Sequence, residues 1–210
     1  MNEAARVAVL LVGGRSRRMR TPKLELAFGR ETLLERNLRV LRQVATRVVV
    51  VRAADQSLPV LPAGVLEVED ERSDQGPLEG LRAGLKRASR TAACASVTAV
   101  DVPFLAPAFL ERLFTLLASH DAVVPEQGGR RHPLSGCYRT SVAEAAEELL
   151  ARGERSVQAL LDRIDTRLVG PDEFQDSDPE LRSLWNLNTP EDYRAALLHF
   201  EHLERLEDRG

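Results

Sequence analysis

Short, nearly continuous apolar runs alternate with segments whose apolar residues recur every three or four positions, and this alternation organises the first half of the chain. Val7–Val12, Arg47–Val51, Val65–Val68 and Ala95–Val100 are rich in β-branched residues and bounded by Gly, Pro or Asp. That pattern predicts strands buried on both faces of a parallel sheet. Between them, Glu31–Val44 places Leu34, Leu38 and Leu41 on one helical face, and Thr32 and Glu35 have the spacing of a capping box. Leu78–Ala88 presents Leu81 and Leu85 in the same way, and Pro107–Ala118 opens on a proline suited to the first helical position. Strand and helix in alternation predict a parallel sheet covered by helices on both faces.

The second half is less regular. A short strand is expected at Asp121–Val124, a turn at Glu126–Gly129 and another strand near Leu134–Tyr138; the hairpin-like insertion at Gln127-Gly128-Gly129 predicts a mixed sheet. A helix follows around Ser141–Ala151, with capping-box spacing between Ser141 and Glu144. Ser156–Ile164 reads as a short helix, Thr166–Val169 as an edge strand and Pro171–Ser183 as an acidic, polar loop. The final helix starts at Thr189-Pro190-Glu191-Asp192, an N-cap followed by proline and acids in the first turn. With no internal repeat, low-complexity tract or linker, residues 1–210 are expected to form one domain.

Composition narrows the classes. Of the 210 residues 43% are hydrophobic and 29% charged, which excludes disorder as the main state. The longest apolar runs, Val7–Val12 and Val48–Val51, fall far short of the roughly 18 to 20 residues that span a bilayer, so no membrane span is expected, and the acidic balance of the chain argues against binding to an anionic membrane. No secretory signal pattern is visible, and a cytoplasmic location is the expectation. Cys94 and Cys137 are too few for a disulfide framework and lack metal-ligand spacing, so they read as buried or half-buried thiols. A formal net charge of -3 argues against nucleic acid as a partner, so any anion site must be local.

One local concentration stands out. Leu11-Val12-Gly13-Gly14-Arg15-Ser16-Arg17-Arg18-Met19, followed by Arg20 and Lys23, sets a Gly-Gly turn at the carboxyl end of the first strand and crowds cations behind it. Glycine lets backbone N–H groups approach a phosphate or a base edge, and the cations fit a polyphosphate. The competing reading, given less weight, is that Gly13 and Gly14 merely turn the chain and the arginines form a solvated face. The segment is neither a Walker loop nor a G-x-G-x-x-G fingerprint.

Asp101 stands at the end of an apolar strand, before Val102-Pro103-Phe104, on the sheet edge where open α/β folds bind ligands. If its strand returns beside the first, Asp101 and the Gly13-Gly14 loop flank one crevice, with Mg²⁺ between the acid and phosphates held by Lys23 and the arginines. Alone, Asp101 could as well cap the next helix. Gly76-Pro77-Leu78-Glu79-Gly80-Leu81 could present a helix N-terminus to a ligand, or be an ordinary loop-to-helix junction. His132 reads as an anion-binding rim or an exposed loop residue, and Trp185-Asn186-Leu187-Asn188 as a substrate grip or a turn. His199 and His202 lie three apart on the last helix, as a solvated pair or two metal ligands without a third. No nucleophile elbow or cysteine-nucleophile signature occurs, so covalent catalysis is not indicated.

Together these residues resemble the molybdenum cofactor guanylyltransferases, the MobA family of the nucleotidyltransferases. Leu11 to Lys23 is similar to the family pattern L-x-G-G-x-S-x-R-M-x-x-x-K, and Gly76 to Leu81 to G-P-L-x-G-L. Asp101-Val102-Pro103-Phe104 resembles D-x-P-F, His132-Pro133-Leu134 with Gly136 and Tyr138 resembles H-P-L-x-G-x-Y, and Asn186 to Glu191 resembles N-x-N-T-P-E. Val12, Arg20 and Thr21-Pro22 depart from the usual alanine, glycine and acid, while the lysine is retained.

The resemblance implies a Rossmann-like three-layer α/β/α nucleotidyltransferase fold with a mostly parallel, mixed sheet, residues 1–105 binding nucleotide and 106–210 the acceptor. It implies transfer of GMP from Mg²⁺-bound GTP to molybdenum-loaded molybdopterin, with release of pyrophosphate, and transient contacts with molybdoenzymes or their chaperones. Leu11, Val12, Gly13 and Asp70, or Glu69 with a one-residue shift, would hold guanosine. Gly14, Ser16, Gly76 and Pro77 would complete the nucleotide site, Lys23 would contact phosphate, Asp101 would bind Mg²⁺, and His132, Asn186 and Asn188 would face the acceptor; Arg18 is added beyond the resemblance as a second phosphate contact. A CTP-dependent sister enzyme, a sugar-phosphate nucleotidyltransferase and a catalytically silent nucleotide-binding subunit are the competing readings; Gly76-Pro77-Leu78 resembles the guanylyl branch.

Overall fold

The computed structural model describes residues 6–13, 22–70 and 76–207. Strand β1 (Val7–Leu11) lies in the middle of the main sheet. A short hairpin, β2 (Ala27–Phe28) and β3 (Glu31–Thr32), leads into helix α1 (Leu33–Val44), and β4 (Arg47–Arg52) and β5 (Val65–Glu69) extend the sheet in parallel on one side of β1. Helix α2 (Pro77–Ala88) crosses over to β6 (Cys94–Ala99), which pairs in parallel with the other side of β1.

Beyond β6 the sheet becomes mixed. Helix α3 (Pro107–Leu117) leads to β7 (Ala122–Gln127), which turns through Gly128 and Gly129, both at positive φ, into β8 (Arg130–Arg131). Strand β9 (Ser135–Arg139) is antiparallel to both β6 and β7. After α4 (Val142–Ala151) and α5 (Val157–Leu161), β10 (Thr166–Val169) closes the edge in parallel with β7, and α6 (Pro190–Glu207) ends the described chain. The resulting order, β10-β7-β9-β6-β1-β4-β5, is the mixed and mostly parallel sheet that the sequence predicts.

Two cores account for the unbroken apolar runs. Ala8, Leu10, Val48 and Val50 face one layer formed by α1, α3 and α6, while Val7, Val9, Leu11, Val49 and Val51 face the layer of α2, α4 and α5. Side chains alternate along a strand, so a strand covered on both faces must be apolar at every position. The α2 layer approaches very closely: a Cβ on Gly84 would lie 2.3 Å from Val9 Cγ1, a distance only glycine tolerates. Within α2, Arg82 and Glu79 form a buried bidentate ion pair, Nε to Oε2 at 2.8 Å and Nη2 to Oε1 at 2.6 Å, and Arg82 Nη1, 3.1 Å from Glu147, ties this helix to α4.

Several expectations need correction. Glu31 and Thr32 belong to a strand, although Thr32 and Glu35 do form the capping box that starts α1. Ser141 forms no such cap: it is already helical, so its carbonyl and not its hydroxyl takes the Glu144 N–H at 3.0 Å. Gln127 lies in β7, and α5 is shorter than expected. Pro171–Ser183 is no polar loop. It contains 3-10 turns at Pro171–Phe174 and Arg182–Leu184 that bury Phe174, Leu181 and Leu184, and Phe174 stacks on Phe109 at 4.8 Å. Both cysteines are free thiols, Cys137 buried and Cys94 half-buried. Among the described residues no helix is long and apolar enough to cross a membrane.

Candidate active site

Because β6 pairs with β1, the turns that leave them emerge side by side at the carboxyl edge of the sheet. Val100 N–H donates to Leu11 O at 3.0 Å, so the residue before Asp101 is bonded directly to the end of β1. Lys23 reaches the same point from a single 3-10 turn, Lys23–Glu25, anchored by buried Leu24. Its Nζ donates to Asp101 Oδ2 at 2.6 Å, with the two side chains 21% and 16% exposed. The lysine and the acid therefore meet directly, where the sequence reading places phosphates between them.

The other Asp101 oxygen, Oδ1, is covered and accepts no hydrogen bond. A buried carboxylate oxygen without a donor is costly unless a cation or donor arrives, which fits a metal ligand. No cluster of three or more His, Cys, Asp or Glu suited to a metal occurs among the described residues. One carboxylate plus phosphate oxygens is a donor set that suits Mg²⁺ at phosphate sites.

The start of the glycine segment behaves differently from the expectation of inward-pointing N–H groups. Val12 and Gly13 N–H both donate to Val51 O, at 2.9 and 3.3 Å, and Val12 O accepts from Gln56 Nε2 at 3.1 Å. These groups join strands and loops instead of standing ready for an anion. A Cβ on Gly13 would lie 3.0 Å from Ala53 N, so close backbone approach explains this glycine. Gly14, Ser16 and Arg18, with Arg15, Arg17 and Arg20, lie outside the described residues.

On the β5 side, Glu69 is held by Arg52 Nη2 at 2.8 Å, whereas Asp70 follows the strand end, its N–H donating to Arg52 O at 2.8 Å. Gly76 adopts φ 73 and sets Pro77 at the first position of α2, with Arg155 backbone and Cβ atoms 3.6 and 3.8 Å from where a Gly76 Cβ would be. The candidate acceptor residues come to the same edge. Ala99 N–H donates to Leu134 O at 3.1 Å, which sets His132-Pro133-Leu134 beside the β6 end, and buried Tyr138 donates its hydroxyl to Pro133 O at 2.6 Å. Burial, with the charge of Arg130 adding, holds the His132 imidazole below its ordinary pKa.

Leu187 N–H donates to Asp101 O at 2.9 Å, so Asn186 and Asn188 flank the residue bonded to the candidate metal ligand. Asn186 Nδ2 donates to Leu184 O at 3.2 Å. Asp192 accepts the N–H groups of Asn188 and Thr189, both at 2.9 Å, and its own N–H bonds Thr189 Oγ1, the predicted cap of α6. The Asn188 N–H, aided by Thr189 and the charge of Lys23, holds the Asp192 carboxyl below its usual range.

His199 and His202 are not a solvated pair. The His199 ring packs against Phe104 and Trp185, with centroids 5.3 and 5.5 Å away, and only His202 is exposed. Trp185 also packs on Phe104 at 5.3 Å, an aromatic contact within the protein. Four residues near the site escape a reading by motif: Arg36, whose Nε donates to Pro103 O at 2.6 Å, Asn37, Gln56 and Arg155. Asn37 alone carries a visible signal, a polar residue on the apolar stripe of α1.

Comparison with known proteins gives a consistent result. The family model described as "MobA-like NTP transferase domain" matches residues 8–167. A "Probable molybdenum cofactor guanylyltransferase" of Mycobacterium avium is 39% identical over 191 residues, covering 89% of this chain and 92% of the relative. A protein of the same name from Methanosarcina mazei is 36% identical over 209 residues, covering 92% and 91%. Among solved structures, the molybdopterin-guanine dinucleotide biosynthesis protein A of Archaeoglobus fulgidus superposes with a TM-score of 0.79 at 25% identity, covering 94% of this chain and 99% of that one.

Proposed function

Because the chain belongs to the MobA-like NTP transferase family, we propose that it is a nucleotidyltransferase that moves GMP from metal-bound GTP to molybdenum-loaded molybdopterin, forming the guanine dinucleotide cofactor and releasing pyrophosphate. The observation that carries this reading is the meeting of Lys23 and Asp101 at the ends of β1 and β6, with Asp101 Oδ1 left without a donor. A phosphate oxygen of the acceptor is already nucleophilic. The protein's task is to align it with the α-phosphorus and to neutralise charge growing on the leaving pyrophosphate.

The residues divide accordingly. Leu11, Val12, Gly13 and Asp70, or Glu69, are assigned to the guanosine side. Gly76 and Pro77 border the phosphates, and Gly14, Ser16 and Arg18, outside the described residues, are assigned the same role. Lys23 supplies a cation within reach of them, and Asp101 holds the metal, for which we assign Mg²⁺; when bound, it neutralises phosphate charge. His132, Asn186 and Asn188 face the acceptor. Residues 1–105 thus serve the nucleotide and 106–210 the acceptor within one domain. A cytoplasmic location and transient hand-over to molybdoenzymes or their chaperones complete the proposal.

The test is pyrophosphate release by the purified protein with Mg²⁺ and molybdate-loaded molybdopterin, comparing GTP, CTP, ATP and UTP. Release with GTP alone supports the proposal, and release with CTP alone transfers it to the cytidylyl reaction. Silence with all four despite GTP binding rejects transfer to this acceptor.

A further inference from the structure

Asn37 is 1% exposed, in the middle of α1 among buried leucines. Its Nδ2 donates to Leu33 O at 2.8 Å and to Val100 O at 3.2 Å, while its Oδ1 is buried and accepts nothing. Both neighbours of the NH₂ group are carbonyl acceptors, which sets the amide orientation. An aliphatic side chain of similar size would avoid the cost of a buried, unpaired acceptor. The Leu33 bond adds little, because that carbonyl already serves the helix ladder. What the amide provides, and an aliphatic side chain could not, is a grip on the Val100 carbonyl.

Val100 is the residue before Asp101. Its N–H is bonded to Leu11 O and its C=O to Asn37, while the carbonyl of Asp101 itself accepts from Leu187 N–H. One residue earlier on α1, Arg36 donates Nε to Pro103 O at 2.6 Å, its guanidinium lying over Phe28 and Phe200 at 5.3 and 4.9 Å from the ring centroids. Two consecutive residues of α1 thus hold carbonyls on either side of Asp101. We propose that Asn37, seconded by Arg36, is a positioning residue that fixes the backbone turn carrying Asp101 and thereby sets the affinity of the site for a divalent cation. The inference rests on Asp101 being the cation's protein ligand.

The experiment uses Mn²⁺ as the probe, its binding to the full-length protein with GTP but no acceptor followed by electron paramagnetic resonance, alongside the melting temperature. Asn37→Leu is expected to weaken Mn²⁺ binding about tenfold, the equivalent of one net hydrogen bond, with the variant still folded at the assay temperature. Arg36→Met, which keeps the stem over the phenylalanines and removes the donor, should weaken it about threefold, and it decides alone if Asn37→Leu does not fold. A role confined to packing would shift the melting temperature and leave Mn²⁺ affinity unchanged, and that result in the folded variants overturns the inference. Asp101→Asn is the reference: loss of Mn²⁺ binding there shows that the ligand assignment stands whatever Asn37 does. Retained binding in Asp101→Asn rejects the assignment and the inference together.

Discussion

Replacing Lys23 by methionine separates two effects of the same ammonium group, and the two should move in opposite directions. Lys23 Nζ sits 2.6 Å from Asp101 Oδ2, with both side chains largely covered. At that distance and an effective dielectric of about 20, the gross attraction is about 6 kcal/mol, most of it offset by desolvation. Lys23→Met leaves the Asp101 carboxylate without that donor, so the nucleotide-free protein should lose about 1–3 kcal/mol of stability. With the competing ammonium gone, Mn²⁺ should bind the nucleotide-free variant about tenfold more tightly than wild type, because a fraction of that attraction worth about 1.4 kcal/mol suffices. Turnover should move the other way. Loss of a cation poised for charge on the leaving pyrophosphate is worth on the order of 3 kcal/mol, a fall of about a hundredfold in kcat at saturating GTP. The assays are electron paramagnetic resonance of added Mn²⁺, thermal melting, and pyrophosphate release with a loaded acceptor. Unchanged Mn²⁺ affinity together with kcat within about threefold of wild type would refute both roles of Lys23.

Other consequences follow from groups away from this pair. Arg82→Met removes the bidentate partner of Glu79, which is 0% exposed, and should cost about 3–5 kcal/mol in chemical denaturation, far more than an exposed arginine. A hydrogen bond from Cys137, with Arg139 and Arg6 assisting against desolvation, lowers the Cys94 thiol to about 7, while burial raises Cys137. Iodoacetamide should therefore modify Cys94 first, with a rate rising through neutral pH in peptide mass spectrometry; equal labelling of both thiols would contradict this. His132, held neutral by burial beside Arg130, stabilises fully above its ordinary value of 6.5 and loses that contribution as pH falls through it toward the depressed folded value. His132→Gln should flatten the decline of stability below about pH 6.5 in chemical denaturation, and an unchanged pH profile would contradict this.

The parts of the fold that could be read from the chain are those where one local rule acts alone. Strands β1 and β4 are apolar at successive buried positions because helices cover both faces, and their ends, like those of β6, fall within a residue or so of the expectation. Thr32 and Glu35 form the box their spacing predicts because Thr32 has extended backbone, whereas Ser141, with the same spacing, is already helical. No spacing rule carries that conformational difference. The segment Pro171–Ser183 reads as polar because its apolar residues are sparse, yet Phe174 and Leu181 are buried by α3 and its surroundings, which tertiary packing alone decides.

The site shows the same division at finer scale. Asp101 and Lys23 are visible as a strand-end acid and a cation after a glycine turn, but their contact spans 78 positions and exists because β6 returns beside β1. The Gly13 turn is visible too. Its neighbouring N–H groups were expected to face a ligand, and they bond Val51 because two parallel strands must be joined where their turns diverge. At this edge the described backbone secures the turns, and the charged side chains project from turns held in that way. Val100 is bonded to Leu11 and Asn37, and Asp101 to Leu187, so three segments distant in sequence fix one carboxylate. A polar residue on the apolar stripe of α1 is the one trace this arrangement leaves in the sequence, since an amide there has no packing advantage over leucine. Its buried and unpaired oxygen measures what the chain gives up in stability to keep Asp101 in place.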